Sequence, residues 1–159
     1  MFGMKTNLKH ALIFVAGVLV AQVATYFIAG IIAQTVLGVG RFYPPSSEAI
    51  SYLRDPLSEY VRTYIFPAQI LRGIFYGIAL LPFRKSILAM GQKMGGLAVA
   101  GIVFVIGYFA SSGGLIEHFV FFNEYPLTFA FITTIEIAIQ ALLMGQILLC
   151  LERKFNSQK

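Results

Sequence analysis

The chain has 159 residues, of which 58% are hydrophobic and only 12% are charged, and its mean hydropathy is +0.78. A soluble domain is typically about half apolar and a quarter charged, so this chain has too few polar groups to cover a water-facing surface. The net charge of +5 does not indicate nucleic-acid binding, because the basic residues lie at the edges of apolar runs. The composition therefore predicts a single transmembrane domain, residues 1–159, and no nucleic-acid partner.

Four apolar runs follow one another along the chain, and each reaches the length of about 20 residues that a membrane-spanning helix needs. The predicted spans are residues 11–33, 65–83, 94–112 and 127–151. The first run is far longer than the roughly 7–15 apolar residues of a signal peptide, so we expect a retained anchor. The predicted fold is an all-α, integral membrane four-helix bundle.

The flanks of these runs predict the orientation. Eight of the twelve basic residues lie on the side of the two termini, with a single acid, Glu152. Such an excess of Lys and Arg is typical of cytoplasmic loops. We therefore expect a multi-pass protein of the cell membrane with both termini in the cytoplasm. The eight residues are Lys5, Lys9, Arg84, Lys85, Lys93, Arg153, Lys154 and Lys159.

Residues 46–64, between the first two spans, have helix signals. Ser46 is an N-cap candidate, and Glu48 is an acid near the expected helix start. Pro56 should break or kink a helix after Asp55. We expect a short interfacial helix that leads into the second span. The charged cluster of this segment is either a solvated face or a rim that contacts an anionic lipid head group or a partner: Arg54, Asp55, Glu59 and Arg62.

Two residues of opposite charge lie inside predicted spans, Arg72 in the second and Glu136 in the fourth. Charged residues within spans usually face the bundle interior or a wet cavity. Each lies ten residues, or about 15 Å of helix, from the expected outer end of its span, at Arg62 and Pro126 respectively. The matched depths predict a direct Arg72–Glu136 ion pair.

Other polar residues extend these two positions into stripes. Helix spacing of i, i+3 and i+7 places Gln69 and Tyr76 on the face of Arg72, and Gln140 follows Glu136 by one turn. These groups either form a binding site in the outer half of the bilayer or only hold helices together. The predicted binding residues are Gln22, Gln69, Arg72, Tyr76, Glu136 and Gln140.

The loop after the third span supplies the remaining chemical candidates. Gly113 and Gly114 permit a sharp turn that would fold Glu117 and His118 over the bundle mouth. These two residues are candidate catalytic groups for proton transfer, or else ordinary interfacial residues. The three or four ligands of a typical metal site are lacking, so we predict neither a metal nor a cofactor.

Two GxxxG pairs, Gly73/Gly77 and Gly91/Gly95, predict close helix packing within the chain or between chains. The expected partners are membrane lipid, other membrane subunits, or a second copy of this chain.

Three functions remain open. The first is transport or binding of a small solute, ion or lipid at an outward-facing polar site. The second is a non-catalytic subunit or scaffold of a larger membrane complex. The third is an intramembrane enzyme that acts on a lipid or a lipid-linked substrate, so whether the protein is an enzyme stays undecided.

Overall fold

The structure is a computed structural model, and it describes residues 8–51, 53–109 and 127–156. Every regular element in these ranges is helical. The α-helices are α1 (Leu8–Thr35), α2 (Glu59–Leu80), α3 (Arg84–Ala89), α4 (Gly91–Phe104) and α5 (Leu127–Asn156). Short 3-10 turns cover Val39–Phe42 and Leu81–Phe83, and a π-helical turn, Val105–Phe109, continues α4.

Four helical segments are long and apolar enough to cross a membrane: α1, α2 with its continuation into α3, α4 with its π turn, and α5. This confirms the predicted all-α class with four candidate spans. The 28 residues of α1 extend about 42 Å, which is more than the roughly 30 Å hydrocarbon core of a bilayer. Helix α1 therefore reaches beyond the core predicted from hydropathy, residues 11–33.

Helix α2 begins at a conventional cap. The hydroxyl of Ser58 accepts a hydrogen bond from the backbone N–H of Val61, at 3.4 Å, and Glu59 occupies the first turn. Just before the cap, a side-chain oxygen of Asp55 accepts from the N–H of Leu57, at 2.8 Å. This turn around Pro56 separates α2 from the preceding segment, as a proline at that position predicts.

The predicted interfacial helix between the first two spans is wrong for the described residues. Ser46 accepts a hydrogen bond from the N–H of Glu48 in a turn, at 3.2 Å, instead of capping a helix. Serine side chains compete with helix formation in this way, and Pro44 and Pro45 precede the turn. Within residues 36–51 and 53–58, the helical piece is the 3-10 turn Val39–Phe42. Its Phe42 packs edge-on against Phe129 of α5, with ring centroids 5.1 Å apart.

The long helices pack in the order α2, α1, α5, α4. Helix α1 lies between α2 and α5, and α5 packs along α4, whereas α2 approaches the backbone of α4 and α5 at few points. We call the side where α1 begins and α5 ends the terminal side, and the side of residues 36–58 the loop side. The sparse α2–α4 approach leaves a gap that side chains bridge.

Glycines set the closest helix contacts. A Cβ on Gly73 would lie 2.8 Å from the Cα of Leu19, and a Cβ on Gly77 would lie 3.0 Å from the Cα of Val15. In this structure the Gly73/Gly77 pair is therefore used within the chain, against α1. The two glycines of the second pair, Gly91/Gly95, have different roles. Gly95 packs against α3 and α5, while Gly91 has a φ of 76° and makes the bend between α3 and α4.

Candidate functional site

A cavity of about 560 Å³ opens on the loop side between α1, the beginning of α2 and the connecting segment. We call it the loop-side cavity. Helix α1 supplies much of its wall, and α5 contributes one charged residue, Glu136. The residues that matter for its chemistry are Tyr26, Phe27, Tyr43, Arg54 and Glu136.

The width of the cavity depends on the sequence of α1. Gly30 follows Tyr26 by one helical turn, and a Cβ added at Gly30 would meet nothing within 4 Å. Phe27, the residue after Tyr26 in α1, stacks with Phe66 of α2, with ring centroids 6.5 Å apart. The aromatic contact holds α1 and α2 together beside the cavity, while the glycine leaves its interior open.

Glu136 is the acidic residue of the cavity wall. Its side chain is half-buried, and within the described ranges it forms no hydrogen bond and no ion pair. Tyr26 of α1 lines the same cavity as Glu136. A carboxylate in an apolar wall without a direct partner is a group that a ligand can use.

Arg54 is the basic residue of the same cavity, on the loop side. Its guanidinium lies 4.2 Å from the ring centroid of Tyr60, and its side chain is exposed. This is a cation–π contact between the guanidinium and the aromatic ring. Arg54 therefore contributes to the solvent-facing part of the cavity.

A second, much smaller cavity of about 40 Å³ lies where α2 faces α4 and α5. Its lining includes Arg72, Tyr76 and Gln140, three of the predicted binding residues. A Cβ on Gly107, in the π-helical turn, would lie only 2.6 Å from the Tyr76 hydroxyl oxygen. Glycine at this position therefore lets Tyr76 bridge the gap between α2 and α4. The space has room for at least one water molecule.

Gln22 and Gln69 form a buried hydrogen bond between α1 and α2. The amide nitrogen Nε2 of Gln22 donates to Oε1 of Gln69, at 3.0 Å, and the two residues are 0% and 3% exposed. The remaining oxygen of Gln22 is buried without a hydrogen-bond partner among the described atoms. This pair is a polar contact inside the helix interface, next to Gly73.

The predicted Arg72–Glu136 ion pair is wrong: in the described part of the chain these side chains do not come within 4.0 Å of each other. The glycine face of α2 packs on α1, which turns the exposed side chain of Arg72 toward the gap beside α4. Glu136 instead faces the loop-side cavity. Counting residues along two helices compares their depths, but it does not fix their rotation.

Among the described residues, a buried ion pair lies on the terminal side. Arg84, at the start of α3, donates through Nη2 and Nε to one carboxylate oxygen of Glu152, at 2.6 and 3.2 Å. The two side chains are 16% and 3% exposed, and the guanidinium lies 5.7 Å from the ring centroid of Phe14. The pair thus joins α3, α5 and α1.

Sequence reasoning missed this ion pair and the role of Tyr26, although both had a signal. On α5, Ala141, Met144 and Leu148 form a buried stripe at helical spacing, and Glu152 continues it by one turn. A lone acid on a basic side, aligned with the core, indicates a buried partner. On α1, Tyr26 follows Gln22 by one turn.

The two loop candidates, Glu117 and His118, lie outside the described residues. Within the ranges that are described, no three His, Cys, Asp or Glu side chains gather as a metal ion would need. The candidate site is therefore built from side chains of the helices and of the segment before α2.

Comparison of this chain with protein-family models, curated proteins and solved structures finds no match.

Proposed function

We propose that this protein crosses the cell membrane several times and binds a small amphipathic molecule in the loop-side cavity. The observation that carries the proposal is a cavity of about 560 Å³ with a largely apolar wall. That wall contains one carboxylate, Glu136, which has no hydrogen-bond or ion-pair partner among the described residues. Ligand pockets typically have about 300–1,000 Å³ and combine apolar walls with a few polar groups.

The position of the cavity supports a ligand that partitions into the membrane. Its walls come from segments that are long and apolar enough to span a bilayer, together with the segment that precedes α2. Phe27, Ile31 and Ile65 offer contact for an apolar body, while Tyr26 and Glu136 offer hydrogen bonding within the span. A carrier or a receptor for such a molecule would use this arrangement.

The subunit and enzyme hypotheses receive less support. The GxxxG pair Gly73/Gly77, which could have packed against another chain, packs against α1. The proposed catalytic residues Glu117 and His118 lie outside the described residues, so catalysis stays a sequence-based prediction. Neither alternative has an observation comparable to the cavity.

A photoreactive decyl amphiphile with a diazirine in its chain tests the binding proposal. We expect cross-links on Phe27, Ile31 and Ile65, and at least tenfold weaker labelling when Gly30→Phe fills the cavity. Gly101→Phe is the matched control, because a Cβ on Gly101 also meets nothing within 4 Å but lies outside the loop-side cavity. Labelling spread evenly over the lipid-facing helices and unchanged by Gly30→Phe would reject the proposal.

The proposed orientation places the terminal side in the cytoplasm. Its support is the basic excess there, which among described residues consists of Lys9, Arg84, Lys85, Lys93, Arg153 and Lys154. In a Cys150→Ser background, a membrane-impermeant maleimide added to intact cells should label Ser47→Cys and not Ser86→Cys. The reverse pattern would invert the orientation.

A further inference from the structure

We propose that the loop-side cavity is selective for a lipophilic cation, an amine or quaternary ammonium with an apolar body, and that Glu136 is its counter-ion. This inference rests on the proposed function and names the ligand class of the same cavity. The observation behind it is the charge distribution around Glu136.

The described helices at the cavity contribute no cation that would neutralise Glu136. Helix α1 presents Tyr26, Gln34 and Thr35, none of them cationic, and α2 presents only Val61 and Ile65. Arg72 lines the separate small cavity and is not within ion-pair distance of Glu136. The connecting segment presents one cation, Arg54, whose guanidinium stacks on Tyr60.

Arg54 and Glu136 would select for opposite ligand charges, so their surroundings decide between them. Arg54 is exposed, and water and salt weaken its interactions. Glu136 is half-buried in a helix of the span, where a lower dielectric strengthens attraction to a nearby cation. The stronger preference therefore comes from Glu136, and it favours a positive head group.

The aromatic groups of the cavity point to the same ligand. Tyr26, Phe27 and Tyr43 contribute to the lining, and aromatic faces attract ammonium groups through cation–π interactions. This attraction is larger where the cation has lost its water. A quaternary ammonium, which carries its charge inside a shell of methyl groups, suits a wall made of rings and one carboxylate.

The same geometry makes the cation and a proton compete for Glu136. An isolated carboxylate is costly in an apolar environment, so either a bound cation or a proton offsets its charge. If the carboxyl group of the empty protein holds a proton, binding of one cation releases that proton and conserves total charge. Cation affinity should then rise as the pH rises and the free protein loses the proton.

The test uses three competitors with the same chain: decyltrimethylammonium, decanol and decanoate. Each competes with the photoreactive decyl amphiphile for purified protein in lipid nanodiscs. We expect the cation to compete at least tenfold more strongly than decanol, and decanoate to compete least. In Glu136→Gln the cation should lose this advantage, whereas Glu48→Gln, which removes an exposed carboxylate on the same side, should keep it.

The outcomes separate the two proposals. If all three compounds compete equally, or if Glu136→Gln keeps the preference for the cation, the cavity binds amphiphiles and the ligand class is wrong. If decanoate competes best, Arg54 sets the preference and the inference is also overturned. If no compound displaces the probe, the proposed function itself fails.

A pH series on the wild-type protein tests the exchange with a proton. We expect decyltrimethylammonium to compete less strongly as the pH falls, and competition that stays equally strong at acidic pH contradicts the exchange.

Discussion

Arg84 and Glu152 are 68 positions apart in the chain, yet two nitrogens of the arginine donate to one oxygen of the glutamate on the terminal side. Arg84 begins α3, which follows α2 through the 3-10 turn Leu81–Phe83, and Glu152 lies near the end of α5. Helix α2 has few direct approaches to α5 along its length, so this ion pair adds a direct link between the α2–α3 segment and α5, which otherwise meet through α1 and α4.

Removal of one partner of this pair should destabilise the protein. Glu152→Ala leaves the largely buried guanidinium of Arg84 without its carboxylate, and we expect a loss of about 3 kcal/mol in unfolding free energy. The double variant Arg84→Met, Glu152→Ala should recover part of that loss, since it removes the uncompensated charge as well. Unfolding in mixed micelles measures both values, and a single variant as stable as the wild type would contradict the prediction.

The Gln22–Gln69 hydrogen bond should contribute less. Interhelical hydrogen bonds in membrane proteins are worth about 0.6 kcal/mol on average, and a polar group left unpaired adds a further penalty. We expect Gln69→Leu to cost about 1 kcal/mol, because the Gln22 amide then loses the hydrogen bond that it makes to Gln69. Gln22→Leu combined with Gln69→Leu should lie closer to the wild type, and a double variant worse than the sum of the singles would refute this account.

Close approach of α1 and α2 depends on Gly73. Gly73→Ala places a methyl group against the backbone of Leu19, which cannot move aside as a flexible side chain would, so we expect a loss of about 1–3 kcal/mol. Gly101→Ala is the matched control in another helix, with open space at its Cβ. It should be neutral or stabilising by up to about 1 kcal/mol, because alanine favours a helix over glycine. Equal effects of the two substitutions would show that packing at Gly73 is not tight.

Hydropathy was sufficient to predict the four candidate spans, since an apolar run of spanning length leaves few alternatives to a helix. It also identified polar residues that the structure brings together, such as Gln22 with Gln69 and Arg72 with Tyr76 and Gln140. The order of packing was not predictable in this way. That order depends on which face each helix turns to its neighbour, and Gly73 and Gly77 fix the face of α2 through contacts with Leu19 and Val15.

The segment before α2 shows a different reason for failure. Ser46 and Glu48 match a helix start, but the same two residues form a turn, and Phe42 and Ile50 are buried in a small loop-side core with Phe129. Burial of these apolar side chains against α5 depends on contacts that are distant in sequence. A local pattern such as an N-cap serine carries no information about such contacts, and here tertiary packing determines the conformation of the segment.

The lack of a direct contact between Arg72 and Glu136 provides the most direct test of the helix arrangement. A double-mutant cycle with Arg72→Met and Glu136→Gln should give a coupling energy below about 1 kcal/mol, because the two side chains are not within the 4.0 Å of an ion pair. The same cycle on Arg84→Met and Glu152→Gln should exceed about 1 kcal/mol, since those side chains share two hydrogen bonds. The cost of each single substitution is subtracted within its own cycle, and the shared choice of Met and Gln makes the two coupling energies comparable. A coupling energy at Arg72–Glu136 as large as that at Arg84–Glu152 would mean that α2 turns its arginine toward α5, and the separate placement of the two charges would then be wrong.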